Sequence, residues 1–157
     1  YDLEDDLSPV AERSLAFEGP RCIYPGHDVT VIASSYSTKL SLQAADLLQE
    51  QGVSAEVIDL RVINPLDPTP IVTSVKKTGR LLVVDGGWSS CGLSGEVIAT
   101  VLERVAPGTL KKAPSRITLP FAPAPTAKVL EQSYYPTSAV VVKAVLDLME
   151  KYVEKTV

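Results

Sequence analysis

Residues 28 to 63 read DVTVIASSYSTKLSLQAADLLQEQGVSAEVIDLRVI, and the fold turns on how this stretch divides. Its opening, DVTVIASS, is a short apolar run rich in β-branched residues, the composition of a buried strand. STKLSLQAADLLQEQG follows, with Leu40, Ala44, Leu47 and Leu48 at helical spacing and Gly52 as a stop. AEVIDLRVI, residues 55 to 63, returns to strand composition. A strand, a helix and a strand in close succession imply a right-handed crossover between parallel strands.

The alternation continues downstream. NPLDPTPIVTSVKKTG, residues 64 to 79, predicts a helix capped by Asp67, with Pro68 in its first turn and Gly79 at its end. Ile71, Val72 and Val75 form its buried edge. RLLVVD, residues 80 to 85, is a third strand, and its lack of alternation predicts burial on both faces. A helix from about Ser94 to Val105 turns Val97, Ile98, Val101, Leu102 and Val105 inward, and RITLPF, residues 116 to 121, is the next strand. The last helix, within 137 to 155, carries an apolar stripe of Val141, Val145, Leu148 and Tyr152. The expectation is a three-layer α/β/α domain with a mainly parallel sheet over residues 27–157. Residues 1–26 read as an extended acidic and proline-bearing lead-in.

Composition narrows the function classes. The chain of 157 residues suits one domain, and 45% hydrophobic with 22% charged residues is ordinary globular usage. A net charge of -4 and a pI near 5.0 argue against nucleic acid, whose binders carry a basic patch. No stretch approaches the ~20 apolar residues that span a bilayer. The start, YDLEDDLSPVAERS, lacks the layout of a signal peptide. Cys22 and Cys91 have no CxxC spacing and read as free thiols in a reducing compartment, and His27 reads as a turn residue before a strand.

Ligands of open α/β sheets bind beyond the carboxyl ends of the strands, where two stretches stand out: Ser34 to Ser37, and Asp85 to Gly95 within LLVVDGGWSSCGLSGEV. The second has glycines ahead of a helix N-terminus, as an anion cradle has, yet matches neither GxGxxG nor GxxxxGK[ST]. GLSGE resembles a nucleophile elbow but places Glu96 where GxSxG needs glycine, so Ser94 reads better as the helix N-cap. Cys91 with His27 makes a dyad only if the fold joins them. Asp59 and Asp85 could pair as carboxylates near the strand ends, but single acids at strand ends usually hydrogen-bond loops. No catalytic centre, cofactor site or metal site emerges. Trp88, the only Trp, beside Gly86 and Gly87, reads as an interface anchor, because Trp is enriched in such contacts. PFAPAPTAKVLEQSYYP has the same character: prolines stiffen a crossover that starts at Phe121 and ends in Tyr134 and Tyr135, and a pre-stiffened backbone loses less entropy on docking.

Three stretches taken together, GHDVTVIASSYSTKLSLQAADLLQEQGVSAEVIDLRVINPLD, RLLVVDGGWSSCGLSGEV and RITLPFAPAPTAKVLEQSYYPT, resemble the C-terminal domain of the transketolase-like family. The likeness is to beta subunits of thiamine-diphosphate-dependent 2-oxoacid dehydrogenases such as pyruvate and branched-chain 2-oxoacid dehydrogenase, over about residues 26 to 157. It implies an assembly and partner-binding domain, inactive alone, with thiamine diphosphate and Mg held by other parts of the parent enzyme. None of the family's principal cofactor-binding residues matches a position here. The implied partners are a second copy or an alpha subunit, and the acyltransferase core of a dehydrogenase complex. The implied compartment is the cytoplasm or the mitochondrial matrix. On this reading residues 1–26 are the linker from an N-terminal domain. The same fold serves other transketolase-like enzymes, and a stand-alone anion-binding module is the remaining alternative. Departures occur at Gly86, where the family commonly has a second acid, and across residues 119–125. Both fall on expected interface loops, which leaves the partner's identity open.

Overall fold

The computed structural model describes residues 18–149. A five-stranded sheet runs in the order β1-β3-β2-β4-β5, built from β1 (Arg21–Tyr24), β2 (Val29–Ala33), β3 (Ala55–Asp59), β4 (Leu81–Trp88) and β5 (Ser115–Leu119). β2, β3, β4 and β5 are parallel, and β1 adds an antiparallel edge beside β3. The helices are α1 (Tyr36–Glu50), α2 (Thr69–Thr78), α3 (Leu93–Leu102), α4 (Lys128–Tyr134) and α5 (Ser138–Met149).

Alternate residues of each central strand feed two cores. Val29, Val31, Ala33, Leu82 and Val84 pack with Ala44 and Leu48 of α1 and with Val141, Val145 and Leu148 of α5. Ile32, Ile58, Leu81 and Val83 pack on the opposite face with Ile71 and Val75 of α2 and Val97 and Val101 of α3. Three layers result, as the strand and helix periods require. Burial of both faces explains why β2 and β4 read as continuous apolar runs. One polar cluster interrupts the α2 face: the Thr30 hydroxyl lies 2.6 Å from that of Ser74 and 2.8 Å from that of Thr78. All three residues are buried, and the hydroxyls satisfy one another.

Several boundaries differ from expectation. Arg21–Tyr24, inside the stretch read as lead-in, belongs to the sheet as β1. β3 stops at Asp59, ahead of Arg61, whose φ of 56° lies outside strand geometry. β4 does not end at Asp85. It runs through both glycines to Trp88, which pairs with Leu119 of β5 after a shift of register. The crossover before the last helix contains α4, which buries none of its residues. Leu47 and Leu102 are exposed, since the buried faces of their helices run through Leu40, Ala44 and Leu48, and through Val97 and Val101. Tyr152 lies outside the described residues.

Candidate functional site

β2 connects to β3 on one side and β3 crosses over to β4 on the other, so the chain reverses its winding between β2 and β4. That reversal opens the crevice in which α/β sheets hold ligands. The loops flanking it are the two that the sequence singled out. They meet here: a Cβ on Gly86 would lie 3.9 Å from Ser37 Oγ.

The glycine-rich turn is bonded by a carboxyl group of its own chain. Asp85 is buried, and its Oδ1 accepts the Gly87 N–H at 2.8 Å. Its Oδ2 accepts the Ser94 N–H at 2.8 Å, in the first turn of α3. A second negative charge would sit directly against this one. Ser94 is therefore not the N-cap: Gly92 holds that position, and the Ser94 hydroxyl is buried with no partner. Pro68, not Asp67, holds the N-cap position of α2; Asp67, one residue earlier, accepts the Thr69 N–H at 2.9 Å, and its bonds to Thr69 hold its carboxyl below the usual range.

The nucleophile readings lose their geometry. His27 precedes β2 and Cys91 follows β4, so they lie at opposite ends of parallel strands, roughly 15 Å apart by strand rise alone. Asp59 accepts the Thr38 hydroxyl at 3.1 Å, and β2 separates its strand from that of Asp85. Among the described residues no group of three or more His, Cys, Asp or Glu is placed to hold a metal ion. No helix there is long and apolar enough to cross a membrane.

A surface does form at this edge. Trp88 and Phe121, from the ends of adjacent strands, stack edge to face with centroids 5.5 Å apart, although Phe121 is 79% exposed and Trp88 47%. Tyr134 and Tyr135 form a second edge-to-face pair at 5.0 Å. The Tyr134 hydroxyl donates to the Ala122 carbonyl at 2.7 Å, which ties the end of α4 to the residue after Phe121. Arg116 braces the near side by donating to the Ser89 carbonyl at 2.9 Å. All four aromatic residues expected at an interface thus border one region, with Gly86 and Gly87 in the strand that carries Trp88. Sequence reasoning missed Val129 and Leu130, exposed on α4 beside them. Their setting between prolines and a tyrosine pair gave no helical period to follow.

The domain is thus doubly wound, with an aromatic surface at its carboxyl edge and the α3 N-terminus bonded by Asp85. The family model "Transketolase, C-terminal domain" matches residues 21–141, and this chain belongs to that family. It is 39% identical over 93% of its length to the mitochondrial pyruvate dehydrogenase E1 component subunit beta of Saccharomyces cerevisiae, and 38% identical over 92% to that of Ascaris suum. The beta subunit of the acetoin:2,6-dichlorophenolindophenol oxidoreductase of Bacillus subtilis is 38% identical over 79% of the chain. The chain spans 39%, 41% and 36% of the lengths of these three relatives. A solved structure described as "Split gene transketolase, inactive beta4 tetramer" shares the fold, with TM-score 0.70 at 24% identity, over 83% of this chain and 41% of that one.

Proposed function

We propose that this chain is the C-terminal assembly and partner-binding domain of a thiamine-diphosphate-dependent 2-oxoacid dehydrogenase beta subunit. It supplies subunit contacts and no chemistry of its own. The whole enzyme decarboxylates a 2-oxoacid and passes the acyl group to a lipoyl carrier. Its cytoplasmic or mitochondrial setting follows that of the relatives, which include mitochondrial subunits.

The observation that carries the reading is the exposed Trp88–Phe121 pair, held in place from behind by Arg116 and Tyr134. Exposed aromatics cost solvent contact when free and dominate binding energy when covered. The partners are a second copy or an alpha subunit, and the acyltransferase core. Thiamine diphosphate and its Mg are held elsewhere in the parent enzyme, a reading supported by Asp85 occupying the α3 N-terminus. With Arg21–Tyr24 part of the sheet, the linker from a preceding domain is confined to the residues before β1.

Sedimentation equilibrium of the chain, alone and with a pyruvate dehydrogenase alpha subunit, tests the proposal. Trp88→Ala should weaken the assembly that forms by more than ~1 kcal/mol, as hot-spot truncations do. An unchanged dissociation constant in both settings would overturn it.

A further inference from the structure

β1 runs antiparallel to β3 with Arg21 opposite Asp59, so the chain enters the sheet at the same end where β3 leaves it. Glu18, three residues before β1, therefore stands beside the loop that follows β3. That loop, residues 60–66, is fixed at both ends. Leu60 is buried, and its N–H donates to the Ala33 carbonyl of β2 at 2.9 Å. Leu66 is partly buried against the core on the α2 side of the sheet. Between them Arg61, Ile63, Asn64 and Pro65 are exposed.

The turn at Arg61 is strained. Its φ is 56°, and the Val62 N–H donates back to the Leu60 carbonyl at 2.5 Å. A bond spanning two residues about a positive φ is the rarer, strained form of the γ-turn. Glycine takes that region freely, whereas a residue with a Cβ meets steric resistance there. Unless something holds it, an arginine at this point returns to the negative φ of ordinary loops.

Glu18 supplies the hold. Its Oε2 accepts Arg61 Nε at 3.0 Å, across 43 positions of sequence. Its two carboxylate oxygens also accept Arg21 Nη2, at 2.8 and 3.0 Å, which locks the carboxylate to the first residue of β1. Ion pairs in open water contribute little, because hydration and side-chain entropy offset them. Here the Glu18 side chain is 10% exposed and serves two guanidiniums, and charge-assisted bonds of that kind are the strong ones.

The clamp thus comes from outside both the loop and the core. Displacing the lead-in to β1 removes it and leaves Leu60 and Leu66 anchored. The loop has two arrangements within reach: Arg61 left-handed with Glu18 engaged, and Arg61 relaxed with Glu18 withdrawn.

We propose that Glu18 is a latch, by which the position of the chain entering β1 sets the conformation of the 60–66 loop at the carboxyl edge. Withdrawing Glu18 lets Arg61 leave its strained turn, and Ile63, 55% exposed, moves with it. The latch itself depends on no reading of the parent enzyme. Where the residues before β1 come from a preceding domain, it makes the carboxyl edge responsive to that domain.

NMR on the full chain tests the latch. In the wild type Arg61 should show the strong intraresidue amide–α NOE that marks a positive φ, and Glu18→Ala should lose it. The Val62 amide, whose bond closes the turn, should exchange about tenfold faster in Glu18→Ala, while the Val83 amide in β4 keeps its wild-type rate. Arg61→Gly takes a positive φ without strain, so adding Glu18→Ala to it should not speed Val62 further. If Glu18 only steadied β1, its loss would act alike with arginine or glycine at position 61. An Arg61 NOE retained in Glu18→Ala, unchanged Val62 exchange, an equal rise at Val83, or a full further rise in the Arg61→Gly background would each overturn the inference.

Discussion

Asp85 Oδ2 accepts the Ser94 amide at 2.8 Å, so the N-terminus of α3 is closed by a carboxylate from the preceding strand. The same side chain holds the Gly87 amide through Oδ1. One residue therefore sets both the start of a helix and the path of the strand end that carries Trp88. Asp85→Ala removes the partner of two amides and should cost about 1–3 kcal/mol. Asp85→Asn keeps one acceptor oxygen and should cost less. Urea unfolding followed by far-UV circular dichroism measures both.

Gly92 is required for space. Its φ of -87° suits any residue, but a Cβ there would overlap the Trp88 carbonyl and lie 3.2 Å from Asp85 Oδ2. Gly92→Ala should displace the turn and lower the unfolding midpoint more than Gly108→Ala, where a Cβ meets open space and only the φ of 85° resists. Equal losses in thermal melts would count against this packing.

Acid should weaken the domain at Glu56. Burial pushes its carboxyl up, but the Lys77 ammonium, the Ser74 hydroxyl and the Gly26 amide outweigh burial, and the net shift is downward. A depressed carboxyl contributes stability above its unfolded pKa and loses it as pH falls through the folded value. Stability should therefore decline from roughly pH 5 downward. Glu56→Gln, less stable at neutral pH, should show a shallower decline in denaturant titrations across that range.

Cys22 should react slowly for an exposed cysteine. Partial burial of its thiol, and then the Glu56 charge, push its pKa above the ordinary value, leaving little thiolate at neutral pH. Iodoacetamide at pH 8 should label it more slowly than a small model thiol, as read by peptide mass spectrometry. Glu56→Gln should speed the reaction.

The central layers were legible because each strand and helix was long and periodic. Ile71, Val75, Val97 and Val101 face the core as their spacing demanded. Gly79 ends α2 at a φ of 71°, as a C-terminal glycine does. The edges were harder. β1 has four residues, mostly unburied, and no apolar run to mark it. β4 continues through Gly86 and Gly87, a dipeptide that ordinarily breaks strands, because Leu119 and Asp85 hold it from both sides. The cap of α3 was invisible to any local rule, since Asp85 acts nine positions away, across a turn. The surface fared better: Trp88, Phe121, Tyr134 and Tyr135 were legible as large aromatics among glycines and prolines. Their assembly into one region depended on β4 and β5 being neighbours, a tertiary fact.

The position of Trp88 gives the chain a built-in optical reporter. It is the only Trp in the sequence, and it stands half exposed at the end of β4, in contact with Phe121. Selective excitation near the red edge of indole absorption thus reads this one spot with no label attached. A partner that covers the edge withdraws water from the ring and moves the emission to shorter wavelength. Assembly can then be followed in real time on the unmodified chain, at concentrations too low for sedimentation.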